Sequence, residues 1–169
     1  MDQGLAAVLG AAVGAVATGG AAYLTASATT TVQRWQARRE AYKQFLIDMR
    51  AVERRLSEIR VRALHVSDNA QSPVDVDALS EQFGETDALA GALDQSLAAV
   101  ALEGPERAAK EATTATTHVY LLKATTAEML RLITERKPIG DDARGLAEQL
   151  DGKITERTRN FRVAARRRL

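Results

Sequence analysis

Polar and apolar residues follow two different regimes along this chain. From Gln3 to Gln33 no side chain is charged, a run of 31 residues in a protein that is 27% charged. Beyond Arg34, apolar residues recur at alternating spacings of three and four, the signature of helices with one buried face. The longest stripe is Tyr42, Phe45, Met49, Val52, Leu56, Ile59, Ala63 and Val66. A second runs through Val76, Leu79, Phe83, Thr86, Ala90, Leu93, Leu97 and Val100, and a third through Ala108, Ala112, Ala115, Val119, Leu122, Thr126, Met129 and Ile133. A fourth uses Leu146, Leu150, Ile154, Phe161 and Ala165.

The punctuation between stripes sets the boundaries. Asp68, Asn69, Ser72 and Pro73 mark a turn, with Ser72 suited to cap a helix and Pro73 to its first position. Gly104-Pro105 and Pro138-Ile139-Gly140 end the next two segments. The spacing therefore predicts helices over 34–67, 73–103, 105–137 and 141–168, and short connections favour antiparallel neighbours. The fold class expected is all-α: an N-terminal transmembrane helix followed by an up-down four-helix bundle. Gly84 and Gly91, beside the second stripe, each cost roughly 1 kcal/mol against alanine unless a neighbour packs closely there.

The uncharged run predicts an anchor over residues 1–28, with the span at about 4–24. Twenty-one helical residues reach roughly 31 Å, about the thickness of the hydrocarbon core. Its Leu and Val residues contribute only about 2–4 kcal/mol of insertion free energy, so the span is marginal alone. Gly10, Gly14 and Thr18 lie at four-residue spacing, a line of small residues that permits helices to approach closely in lipid and points to self-association through the span. Residues 29–33, with β-branched Thr29 to Thr31, are expected to form a juxtamembrane joint. Ala26-Ser27-Ala28 has the form of a signal cleavage site, yet the only early side-chain charge is Asp2 and the bases follow the apolar run, opposite to a secretory signal. Lys/Arg enrichment marks the cytoplasmic side of a span. Arg34, Arg38, Arg39 and Lys43 therefore predict a single pass in the inner membrane, N-terminus outside and the bundle in the cytoplasm.

Charge refines the bundle. Residues 34–62 carry nine bases and four acids, whereas 73–104 carry seven acids and no base, so these segments are expected to pack side by side. In a parallel homodimer through the first stripe, Asp48 would face Glu53 and Arg55 would face Arg60, which favours an antiparallel bundle instead. In the up-down topology Arg166, Arg167 and Arg168 return toward Arg34, Arg38 and Arg39, a basic cluster suited to the anionic inner leaflet.

Candidate chemistry is sparse. The chain has no cysteine, which excludes thiolate sites within it. His65 and His118 stand beside stripe positions without ligand spacing, and the inward stripes contain no acid for a carboxylate metal centre. The N-terminal glycines lack the Gly-Lys-Ser/Thr of a phosphate loop. Arg54, Arg55, Arg60 and Arg62 are expected on a solvated face, and with a net charge of only +1 and no aromatic interleaving, nucleic-acid binding is not expected. Trp35 and Tyr23 suit the headgroup region. No cofactor, metal or enzymatic activity is expected.

The stretch Arg38-Arg39-Glu40-Ala41-Tyr42-Lys43-Gln44-Phe45-Leu46, after an Ala/Gly span, resembles small actinobacterial-type single-span membrane proteins with a cytoplasmic helical region. Some of these resemble the Kil-type spread proteins of conjugative plasmids, which would imply a part in plasmid transfer. The similarity covers about the first sixty residues and transfers no functional residue. The function expected is a membrane-tethered interaction scaffold with a protein partner. Alternatives are a holin- or toxin-like membrane-active protein, a signal relay, or a plasmid-transfer accessory.

Overall fold

A computed structural model describes residues 32–69 and 75–166 with their side chains, and gives 2–31 as backbone helix. The chain is all-helical, with no strand among the described residues. Its elements are α1 (Asp2–Asp68), α2 (Val76–Gly84), α3 (Thr86–Glu103), α4 (Glu106–Thr134) and α5 (Asp141–Arg166). Met1–Ala37 form one compact unit and Arg38–Leu169 another; the core belongs to the second. Among the described residues no helix is long and apolar enough to cross a membrane. The expected span at 4–24, with Gly10, Gly14 and Thr18, lies outside the residues whose side chains are described, as do Ser72 and Pro73.

Local chemistry explains where helices start and stop. Asp75 caps α2, its carboxylate accepting from the amides of Asp77 at 2.9 Å and Ala78 at 3.3 Å, which satisfies N–H groups the helix itself leaves unpaired. The single helix expected over 73–103 is divided at Glu85 into α2 and α3. Gly84, a weak helix former, precedes the break. Thr86 follows it, its hydroxyl donating to the Phe83 carbonyl at 2.6 Å in competition with the regular ladder. No atom stands within 4 Å of a Cβ built on Gly84 or Gly91, so close packing does not offset their cost.

Two further ends differ in kind. A Cβ on Gly104 would lie 2.6 Å from the Val100 carbonyl oxygen and 3.0 Å from the Tyr42 hydroxyl, so this corner admits only hydrogen. Helix α4 stops at Thr134, short of the expected 137, in a Schellman arrangement. The Lys137 amide donates to the Leu132 carbonyl at 2.8 Å and the Arg136 amide to Ile133 at 3.0 Å. Arg136 occupies the left-handed position, φ 55°, where glycine is the usual residue.

Cross-helix contacts define an antiparallel ring. Along α1 and α5, Tyr42 and Phe45 meet Phe161 edge-on with ring centroids 5.4 and 5.0 Å apart. Farther along, Arg60 meets Asp151 and Asp68 meets Arg144. Helix α1 also runs antiparallel to α2 and α3, through Arg62 with Gln82, Arg55 with Glu85, and Arg38 with the Glu103 carbonyl. Tyr120 with Asp94 and Lys123 with Asp87 join α4 to α3, and Arg157 with Glu111 joins α5 to α4. The basic first segment does lie against the acidic second.

The stripes supply the core. From Tyr42 to Ala63 every position of the first stripe is buried, and so is every position of the third. The fourth is corrected at one point: Leu146 is 47% exposed and Ala147 is buried in its place. Ala147, Leu150, Ile154, Thr158, Phe161 and Ala165 keep the three-four phase, which Leu146 misses by one residue.

Candidate functional site

Two places in the bundle carry groups that could act on something outside it. The first is the end where α1 enters the bundle and α5 finishes. Arg38 is half-buried and donates from Nε to the Glu103 carbonyl at 2.6 Å, satisfying one of the orphan carbonyls at the C-terminus of α3. Arg39 is exposed, as are Arg34, in the other compact unit, and Arg166 at the end of α5. Because Phe161 stands against Tyr42 in antiparallel register, Arg166 reaches the level of Arg38 and Arg39, so three of the six arginines share an end of the bundle. Arg167 and Arg168 lie outside the described residues. Tyr42 sits behind this end, with its hydroxyl buried and unpaired; burial raises its pKa despite the opposing effect of Arg38.

The second place is a hollow of about 150 Å³ between α1 and α5, floored by Met129 of α4. Arg60, expected on a solvated face, is only 7% exposed. Its position next to Ile59 turns it inward, where one guanidinium nitrogen meets Asp151 at 2.5 Å. Its Nη1 has no acceptor. Arg144 lines the same hollow and pairs with Asp68, holding that carboxylate below its usual range. Two helical turns before Arg60 on α1, toward the aromatic end, Glu53 is half-buried. Desolvation raises its pKa, the nearby Asp151 adds to the rise, and Arg50 and Arg162 oppose it.

The remaining sequence candidates are quieter. His65 is exposed, and His118 is half-buried with an unpaired Nδ1. Tyr120 donates to Asp94 at 2.6 Å, and its pKa is pushed up to about 12, first by burial and then by that carboxylate. Among the described residues, no three His, Cys, Asp or Glu side chains gather to hold a metal ion. Arg54 and Arg62 are exposed as expected, whereas Arg55 is partly covered by its pairs with Glu85 and Glu58. Only Arg60 was hidden from the pattern, because the partner that makes its burial tolerable lies 91 residues away.

No protein-family model, curated protein or solved structure matches the chain.

Proposed function

We propose that this protein is a non-enzymatic, membrane-tethered helical scaffold: a single N-terminal span, N-terminus outside, holding an up-down four-helix bundle at the cytoplasmic face of the inner membrane for a protein partner. The observation that supports it is the uncharged run from Gln3 to Gln33, followed at once by bases that mark a cytoplasmic flank. Self-association through Gly10, Gly14 and Thr18 belongs to the same proposal.

The proposal includes the basic cluster of Arg34, Arg38, Arg39, Arg166, Arg167 and Arg168 as the part that engages the anionic inner leaflet, an attraction screened over roughly 8 Å at physiological salt. Each base that reaches the surface is worth about 1 kcal/mol.

A reporter fused after Leu169 tests the topology: activity confined to the cytoplasm is expected, and activity only outside it overturns the proposal. Intact mass decides retention, since loss of residues 1–28 means cleavage. Dye leakage from vesicles carrying the full chain, at the level of a pore-former, would replace the scaffold with the membrane-active alternative. Salt-dependent binding to anionic vesicles that weakens when Arg166 to Arg168 become alanine supports the basic cluster, and equal binding to neutral vesicles removes it.

A further inference from the structure

Helix α4 carries two stripes spaced by three and four, and the core uses only one. The middle of the outer stripe is Thr113, Thr117, Leu121 and Ala124; Glu106 and Lys110 precede it, Glu128 and Arg131 follow it, and every one of these positions is exposed. The solvent face of a helix is ordinarily polar and charged, but here only the ends are charged. Lys123 is the only Lys, Arg, Asp or Glu from Ala112 to Ala127, and it is turned onto Asp87 of α3. The Thr113 hydroxyl donates to the Ala109 carbonyl at 2.9 Å and the Thr117 hydroxyl to the Thr113 carbonyl at 3.0 Å, so both can be covered without leaving an unpaired donor. Leu121, near the middle of the stripe, is 50% exposed.

The order of charges names what covers this face. From its N-terminal end the stripe reads negative, positive, four uncharged residues, negative, positive; read backwards, every sign is reversed. Laid antiparallel on a second copy of itself, Glu106 opposes Arg131, Lys110 opposes Glu128, Thr113 opposes Ala124 and Thr117 opposes Leu121. Each of these pairs occurs twice, as a two-fold axis requires. Laid parallel, every charge would meet its own like, which is unfavourable. Glu106 and Lys110 make no ion pair or hydrogen bond within the described residues. Glu128 and Arg131 hold each other in an exposed pair along the helix, and Arg131 also meets Glu135. Such pairs are worth little in water, so each contact across the axis joins an unpaired group to a weakly held one.

We propose that two copies of this chain pair through this outer face of α4, the helices antiparallel about an axis midway between Thr117 and Leu121. The face lies wholly within the Arg38–Leu169 unit and is independent of the membrane proposal, whose self-association through Gly10, Gly14 and Thr18 would set the copies in parallel.

The chain has no cysteine, so introduced thiols report the pairing without background. Thr113 and Ala124 are eleven residues apart, roughly 16 Å along one helix and beyond the reach of a disulfide, yet they meet across the antiparallel pair. On mild oxidation of the full-length protein in detergent, Thr113→Cys and Ala124→Cys combined in one chain should give a covalent dimer, and neither single variant should. Adding Lys110→Glu, which sets acid against acid on both sides of the axis, should cut the dimer yield about tenfold. Adding Glu128→Lys as well should restore most of it. All four positions are exposed, and unchanged helical circular dichroism checks that each variant folds. The assignment is overturned by absence of dimer in the double-cysteine chain, or by dimer formed as readily by either single variant, as parallel pairing through the span would give. A yield that Lys110→Glu leaves unchanged, or that Glu128→Lys fails to restore, overturns it as well.

Discussion

The two ends of the bundle fill their interiors in opposite ways. Where α1 enters, three rings cluster: Tyr42, Phe45 and Phe161. At that same end α4 contributes only Ala108, Ala112 and Ala115. At the far end no ring is buried among the described residues; α1 offers Leu56, Ile59 and Ala63 while α4 offers Met129, Leu130 and Ile133. Large against small fills space with little freedom left over, since interdigitating sizes fix both partners. Medium against medium leaves the hollow beside Arg60. The difference teaches where this fold derives rigidity and where it keeps room for something else.

Truncation at the two ends should separate them most clearly. Phe161→Ala removes a fully buried ring with two aromatic neighbours and is expected to cost about 3–5 kcal/mol. Met129→Ala, beside an existing hollow, should fall near the lower limit of about 2 for its class. Urea denaturation of both variants checks this, and equal losses would erase the distinction. At the ring end, Gly104→Ala drives a methyl into the Val100 carbonyl and the Tyr42 hydroxyl and should cost about 1–3 kcal/mol. The same change at Gly91, with open space around it, should instead stabilise by roughly 0.5–1 kcal/mol.

Glu53 sharpens the comparison through pH. Its folded pKa is raised, so its contribution is most favourable below its unfolded value of about 4.3 and is lost as pH rises through the folded one. Glu53→Gln should therefore stabilise at pH 7, by less than Gly104→Ala destabilises, and the gain should vanish below about pH 4. Melting curves across that window decide it; a gain that grows toward acid would invert the assignment. The smallest effect belongs to Arg136. Replacing this left-handed residue with glycine should add a few tenths to about 1 kcal/mol, readable as a modest rise in midpoint.

Much of this fold could be read from spacing alone, because each long helix presents one narrow apolar face to one core. The third stripe contains weak residues such as Ala112 and Thr126, yet all its positions are buried: phase mattered more than hydrophobicity. Leu146 shows the converse, since a strongly apolar residue one step out of phase stays half in water while Ala147 goes in. The end of α4 at Thr134 is not legible in the spacing, because its left-handed position holds Arg136 and no glycine announces the stop. The break at Glu85 leaves no mark in the spacing, for Gly84 alone is tolerated within helices. The hollow could not be read at all. It depends on Arg60 meeting Asp151 and on Met129 standing beneath both, three residues from three helices whose relation exists only in the folded chain.

The edge-on meeting of Tyr42 with Phe161 has a mechanical consequence. Since α1 enters and α5 finishes at one end of the bundle, tension applied between positions 38 and 166 peels the two helices apart from that end, one layer after another. The ring cluster takes the load first, before Arg60 and Asp151, and Asp68 with Arg144 take it last. Tension between positions 68 and 166 loads all of these layers together in shear. Optical-trap extension of the two attachments should give a lower, stepwise yield for the first and a higher, single rupture for the second, so that force applied at the shared end opens the bundle gradually.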